Sequence, residues 1–177
     1  GLRTAPRLLR QWRGEDLAPW RAMNADPAVR RHFPSVLSSE QAHAEAQRCR
    51  DAIVERSWGM WALEVPGVFD FAGFVGLNIP NYEAPWMPAV EIGWRLRQDA
   101  WGQGLATEAA RQALRFAFET LRLAQVVALA VPGNAASLNV MHKLGMTRNP
   151  ADDFDHPRVP KGHPLRRHVL HRIQRPE

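Results

Sequence analysis

Trp101-Gly102-Gln103-Gly104-Leu105-Ala106-Thr107 sets two glycines, one residue apart, ahead of a run whose apolar positions recur at three- and four-residue steps. Leu105, Ala106, Ala109, Ala110, Ala113, Leu114, Ala117, Phe118 and Leu121 define one buried face of a helix running from Gly104 to about Leu121. A helix N-terminus offers unpaired N–H groups and the positive end of its dipole, and glycines let an anion approach that backbone closely. The chemistry suited to this turn is the binding of a diphosphate. Before it, Val90, Ile92, Trp94 and Leu96 alternate with Glu91, Gly93, Arg95 and Arg97, the period of a half-buried strand.

Two other phosphate loops are excluded by their own requirements. The Walker form needs G-x-x-x-x-G-K-[ST], and neither Lys143 nor Lys161 lies in such a run. The dinucleotide fingerprint needs glycine or alanine where Thr107 stands, and an acidic residue near Gln125 and Val126. A nicotinamide cofactor is therefore disfavoured.

The run Trp101 to Ala106, continued by Thr107, Glu108 and Ala109, is similar to the acyl-CoA-binding turn of the GNAT superfamily of N-acyltransferases, usually [QR]-x-x-G-x-[GA]. Tryptophan in the first slot departs from that form and resembles the ribosomal-protein N-terminal alanine acetyltransferase branch. A second signature, N-x-x-[AS]-x-x-x-[YL]-x-x-x-G-[FM], is visible as Asn134, Ser137, Met141, Gly145 and Met146.

The resemblance implies acetyl-CoA as acyl donor, held by Trp101, Gly102, Gln103, Gly104, Leu105, Ala106 and Thr107, with Asn134 at the pantetheine arm. It further implies that the preceding strand splays from its neighbour, so that exposed backbone groups near Arg95, Leu96 and Arg97 pair with that arm. Amine attack on a thioester needs a base, an oxyanion partner and a proton for the departing thiolate. Glu91, on that strand, is the preferred base, with His32 as alternative. Many family members carry a tyrosine where Met141 stands; methionine has no proton to give, and Ser137, one turn earlier, is the substitute. His32, Tyr82 and Trp86 are the candidates for walling the acceptor.

Positioning these residues requires a mixed α/β fold. Arg7 to Trp12 reads as a first strand, Glu15 to Ala25 as a short helix, and the segment after Ser38 or Ser39 as a second helix with Ala42, Ala46, Cys49 and Ile53 inward. Strands follow near Trp58 to Val65, Phe69 to Asn78 and Ala89 to Arg97. Beyond the glycine turn's helix come a strand at Gln125 to Val131, a helix capped by Asn134 and ended by Gly145, and strands at Met146 to Phe154 and Leu165 to Ile173. This order implies a central, mostly antiparallel sheet of about seven strands flanked by about four helices, which is the order of the GNAT fold.

At 177 residues with 45% hydrophobic content, and without a linker or repeat, one domain over 1–177 is expected. No apolar run is long enough to span a membrane, and the expected compartment is the cytoplasm. Cys49, the single cysteine, reads as an inert structural thiol. The net charge of +5 fits a polyanionic ligand and, as an alternative of another class, a noncatalytic CoA-sensing or nucleic-acid-binding domain. The basic end, Arg158 to Arg175, has no interleaved aromatic residue, so nucleic acid is disfavoured. The histidine spacings match no zinc pattern, and no metal is expected. The expected acceptor is a primary amine, a protein N-terminus by resemblance. The alternatives are a small-molecule amine such as a polyamine, amino acid or aminoglycoside, or another donor such as succinyl-CoA, whose distal carboxylate Arg30, Arg31 or Arg95 would receive. A homodimer paired through the final strand is a further expectation.

Overall fold

The computed structural model describes residues 6–177. The elements are β1 (Leu8–Arg10), α1 (Leu17–Asn24), α2 (Ser39–Arg56), β2 (Met60–Val65), β3 (Phe69–Asn78), β4 (Glu91–Leu96), α3 (Leu105–Arg115), β5 (Gln125–Ala130), α4 (Ala135–Lys143), β6 (Thr147–Arg148), β7 (Phe154–Asp155) and β8 (Arg167–Gln174). Local chemistry sets several of these boundaries. Ser38 and Gln41 form a reciprocal capping box at the start of α2, and Asn134 accepts from the Ser137 N–H at the start of α4. The expected single strand from Met146 to Phe154 is instead two short strands. Asn149 caps a tight turn at Pro150–Asp152 between them, because proline cannot donate to a ladder. The helix after the glycine turn ends at Arg115 and continues as a wider turn over Phe116–Thr120.

Among the described residues the sheet has eight strands in the order β1-β2-β3-β4-β5-β8-β6, with β7 also on β8. Every pairing is antiparallel except β4 with β5, which is parallel and registers through one residue pair, Glu91 with Val127. β8 is flanked by β5 on one side and by β6 and β7 on the other, so the final strand is not an edge available for twofold pairing.

Strand alternation sorts the core into layers. Ile92, Leu96, Val126, Ala128 and Ala130 face α3 and α4, where Ala109, Ala110, Ala113 and Ala117 let the helix lie close to the sheet. The opposite face is covered in two patches. Over β2 and β3, α1 and α2 bury Trp12, Trp20, Met23, Phe71 and Phe74; over β5 and β8, Trp86, Phe154, Val127 and Leu170 pack together. Phe74 registers with Arg95, and Glu91 with Val127, so Glu91, Gly93 and Arg95 lie on this second face between the patches.

Cys49 faces α2's buried side, and burial raises its thiol to about 12. It is therefore expected to stay unmodified by a thiol-specific disulfide reagent in the native protein and to react stoichiometrically in denaturant, as absorbance titration would show.

Candidate active site

The glycine turn has a backbone geometry suited to an anion. Gly102 and Gly104 have φ of 72° and 74°, left-handed values that favour glycine. Among the described residues, a β-carbon at Gly102 would meet nothing within 4 Å and one at Gly104 would meet only Glu108 Oε1 at 3.8 Å, which leaves space above the turn. The first helical bond runs from the Glu108 N–H to the Gly104 carbonyl. This leaves the N–H groups from Gly102 to Thr107 without a protein acceptor among the described residues. Gln103 Nε2 donates to the Asp99 carbonyl, and the half-exposed Trp101 donates its indole N–H to the Leu96 carbonyl at 3.0 Å. Leu105 and Thr107 are buried, and Ala106 is partly so.

Between β4 and β5 the sheet opens. After the Glu91–Val127 pair, no further register joins the two strands, and their C-terminal halves diverge. The Val127 N–H donates to the Val90 carbonyl, while the Arg97 N–H donates to the Ala72 carbonyl on the other side. Alternation therefore turns the backbone groups of Trp94 and Leu96 toward the gap and commits those of Arg95 and Arg97 to β3. Of the three residues expected to offer free backbone, Leu96 does so by its amide, its carbonyl already holding Trp101. The side chain of Arg97 pairs with Asp99 at 2.7 Å beside the cradle, and that of Arg95 lies on the second face.

Asn134 and Ser137 stand at the start of α4, on the α3 side of the gap. Ser137 Oγ accepts the Trp94 indole N–H at 3.1 Å, which leaves the hydroxyl proton free to point elsewhere. Met141 is buried in the core. The Trp94 link joins residues 43 apart in sequence, and nothing in either local pattern announced it.

On the second face, Glu91 is partly exposed at the root of the gap, 3.5 Å from Asn78 Nδ2. Burial of its carboxyl outweighs that weak hydrogen bond and raises it from 4.5 to about 7. Burial, with the nearby Glu91 charge, pushes the Tyr82 hydroxyl above its ordinary value, and that hydroxyl is buried without a hydrogen-bond partner among the described residues. Its ring packs on His156 at 4.5 Å and edge-on to Trp86 at 5.9 Å; Trp86 belongs to the core patch behind it. Burial and the neighbouring His168 hold His156 down to about 4, so it is a neutral wall at physiological pH. A cavity of about 600 Å³ opens along Tyr82, Glu83, Ala84, Met87 and Pro88. His32 lies in the turn after α1, and burial beside Arg31 keeps it below its ordinary value. No hydrogen bond links it to Glu91. No group of three or more histidine, cysteine or acidic side chains suited to a metal occurs among the described residues.

Residues 7–147 match the family model described as an acetyltransferase (GNAT) domain. The uncharacterized protein YkkB of Bacillus subtilis is 34% identical over 94 residues, covering 52% of this chain and 54% of that protein. FsC-acetyl coenzyme A-N(2)-transacetylase of Aspergillus fumigatus is 36% identical over 110 residues, covering 55% of this chain and 47% of that protein. The chain thus spans about half the length of these relatives. An acetyltransferase (GNAT family) from Bacillus anthracis has the same fold, with a TM-score of 0.78, 22% identity and 98% of each chain covered. With the family model running from the first strand through the glycine turn to the sixth strand, this chain belongs to the GNAT acetyltransferase domain family.

Proposed function

We propose that the protein transfers an acetyl group from acetyl-CoA to a primary amine, with a protein or peptide N-terminus as acceptor. The observation that carries this reading is Glu91, a carboxyl raised to about 7 at the root of the opening between the parallel strands β4 and β5. The cradle from Gly102 to Thr107 supports a diphosphate, and the strand-like amides of Trp94 and Leu96 suit the two amides of a pantetheine arm. The Aspergillus relative is named for acetyl coenzyme A and an N(2) position, which supports the donor and a nitrogen acceptor. The choice of an N-terminal amine draws on the Trp101-Gly102-x-Gly104 run.

An ammonium acceptor must lose a proton before it attacks, and Glu91 takes that proton, directly or through a water. The neutral nitrogen then adds to the thioester carbonyl; the C–N bond forms, the C–S bond breaks, and the thiolate leaves toward Ser137 and takes its hydroxyl proton. The second proton, shed by the acylated nitrogen, replaces it, so that amide and thiol are the products. That hydroxyl, already accepting from Trp94, is free to donate. Ser137→Ala should lower kcat about tenfold while changing acetyl-CoA affinity less than about twofold, measured by thiol release and calorimetry.

The testing experiment is calorimetric titration with acetyl-CoA, succinyl-CoA and CoA, followed by thiol release over a panel of peptide and small-molecule amines. Saturable acetyl-CoA binding with amine-dependent thiol release is expected. Folded protein that binds none of the three would overturn the reading and favour the noncatalytic, nucleic-acid-binding alternative.

A further inference from the structure

One wall of the acceptor side carries more positive charge than it pairs. Arg95 donates Nη1 to Glu45 Oε1 at 2.6 Å and to Asn24 Oδ1 at 3.0 Å, and its buried Nε has no acceptor among the described residues. Its side chain is only 10% exposed, with Cζ 4.8 Å from the Phe33 ring and 4.8 Å from the Phe74 ring. Arg30 is 8% exposed, donates Nε to the Ser35 carbonyl at 2.9 Å, and sits 4.1 Å from the same Phe33 ring. Glu45 is the one carboxylate paired with either arginine among the described residues.

Two desolvated guanidiniums against a single carboxylate leave a buried cation uncompensated, an arrangement that is costly unless an anion completes it. Burial and the Arg95 charge lower the Arg30 guanidinium to about 10, the direction expected of an under-paired cation. The pair also stands where an acceptor would extend. Arg95 is four residues beyond Glu91 on the same face of β4, roughly 13 Å along the strand. Gly93, between them, adds no side chain of its own, and among the described residues only the Met60 methyl, 3.5 Å from where a β-carbon would stand, lies over it.

We propose that Arg30 and Arg95 form a carboxylate subsite, so that the preferred acceptor is a primary amine carrying a carboxylate several bonds from its nitrogen. An acidic side chain beside a peptide N-terminus and the far end of an ω-amino acid share this chemistry, and guanidinium forks suit it geometrically. The proposal rests on the acetyl-transfer reading, because Glu91 sets where the amine stands. It also disfavours polyamines and aminoglycosides, which the cationic wall repels.

The test compares kcat/KM, with acetyl-CoA, for Ala-Glu-Ala-amide against Ala-Gln-Ala-amide and for ε-aminocaproate against hexylamine. At least about tenfold preference for the carboxylated partner is expected in one pair, and the pair that shows it identifies the source of the carboxylate. Arg30→Gln should shrink the preference to within about twofold. Glu45→Gln, which removes the competing carboxylate, should enlarge it; this opposite sign cannot arise from general misfolding, and each ratio is internal to one protein. Equal turnover of charged and neutral amines would overturn the proposal and leave acetyl transfer standing. Preference for succinyl-CoA with a neutral amine, lost in Arg30→Gln, would overturn it by assigning the carboxylate to the donor. Absence of both acetyl-CoA binding and thiol release would instead show the failure of the acetyl-transfer reading.

Discussion

Glu91→Gln is expected to lower kcat by about 10²–10⁴-fold while leaving acetyl-CoA binding within a few-fold of the wild type, because it removes a proton acceptor and keeps the shape. The pH dependence gives the sharper result. A base must be unprotonated to act, so wild-type kcat/KM should rise with pH through about 7, where burial has placed the Glu91 carboxyl. That rising limb should vanish in the glutamine variant. Retention of the limb in Glu91→Gln would assign the proton transfer elsewhere, with His32 the next candidate.

The same carboxyl makes a stability prediction of definite sign. Its folded value lies above the ordinary 4.5, so between about 4.5 and 7 the folded state holds a proton that the unfolded chain has released. Stability from this group therefore falls as pH rises across that window and stays reduced above it. Glu91→Gln should raise Tm relative to wild type at pH 8, and the two proteins should converge near pH 4. A variant less stable than wild type at pH 8 would show that the charged form is accommodated in the fold without cost.

Gly104→Glu is expected to weaken acetyl-CoA binding by at least about a hundredfold, two effects acting together. The new side chain would project into the space above the turn, near Glu108, and bring negative charge to the place where the unpaired N–H groups converge. It would also force a non-glycine residue to φ of 74°, a strain of about 1 kcal/mol. Gly104→Ala separates the two, since it carries the strain with little bulk and no charge; it should lose only several-fold. Circular dichroism and Tm establish that each variant folds, and calorimetric titration reads the affinity. Undiminished binding in Gly104→Glu would remove the turn from the donor site.

The sequence by itself determined the parts whose signal is local. The alternation of Val90, Ile92, Trp94 and Leu96 marked β4, the three- and four-residue spacing from Leu105 marked α3, and the paired glycines marked the positive-φ turn between them. These follow from strand and helix periods and from glycine's lack of a β-carbon, which need no knowledge of distant residues. The Asn134 cap and the Cys49 face were legible for the same reason.

What only the tertiary structure decided is what depends on residues far apart in the chain. That burial raises the Glu91 carboxyl to about 7, against the weak opposing hydrogen bond from Asn78 on the neighbouring strand, depends on the completed fold, and no property of its own segment reveals it. The phase of β4, with Trp94 and Leu96 opening to β5 and Arg95 turned to the face covered by α1 and α2, was set by register with Ala72 and Val127. Arg30 and Arg95 are brought against Phe33, and Trp94 against Ser137, by the packing of α1, α2 and α4 on opposite sides of one sheet. Periodicity specifies which face a side chain takes, whereas desolvation and charge pairing depend on what the completed fold places opposite it.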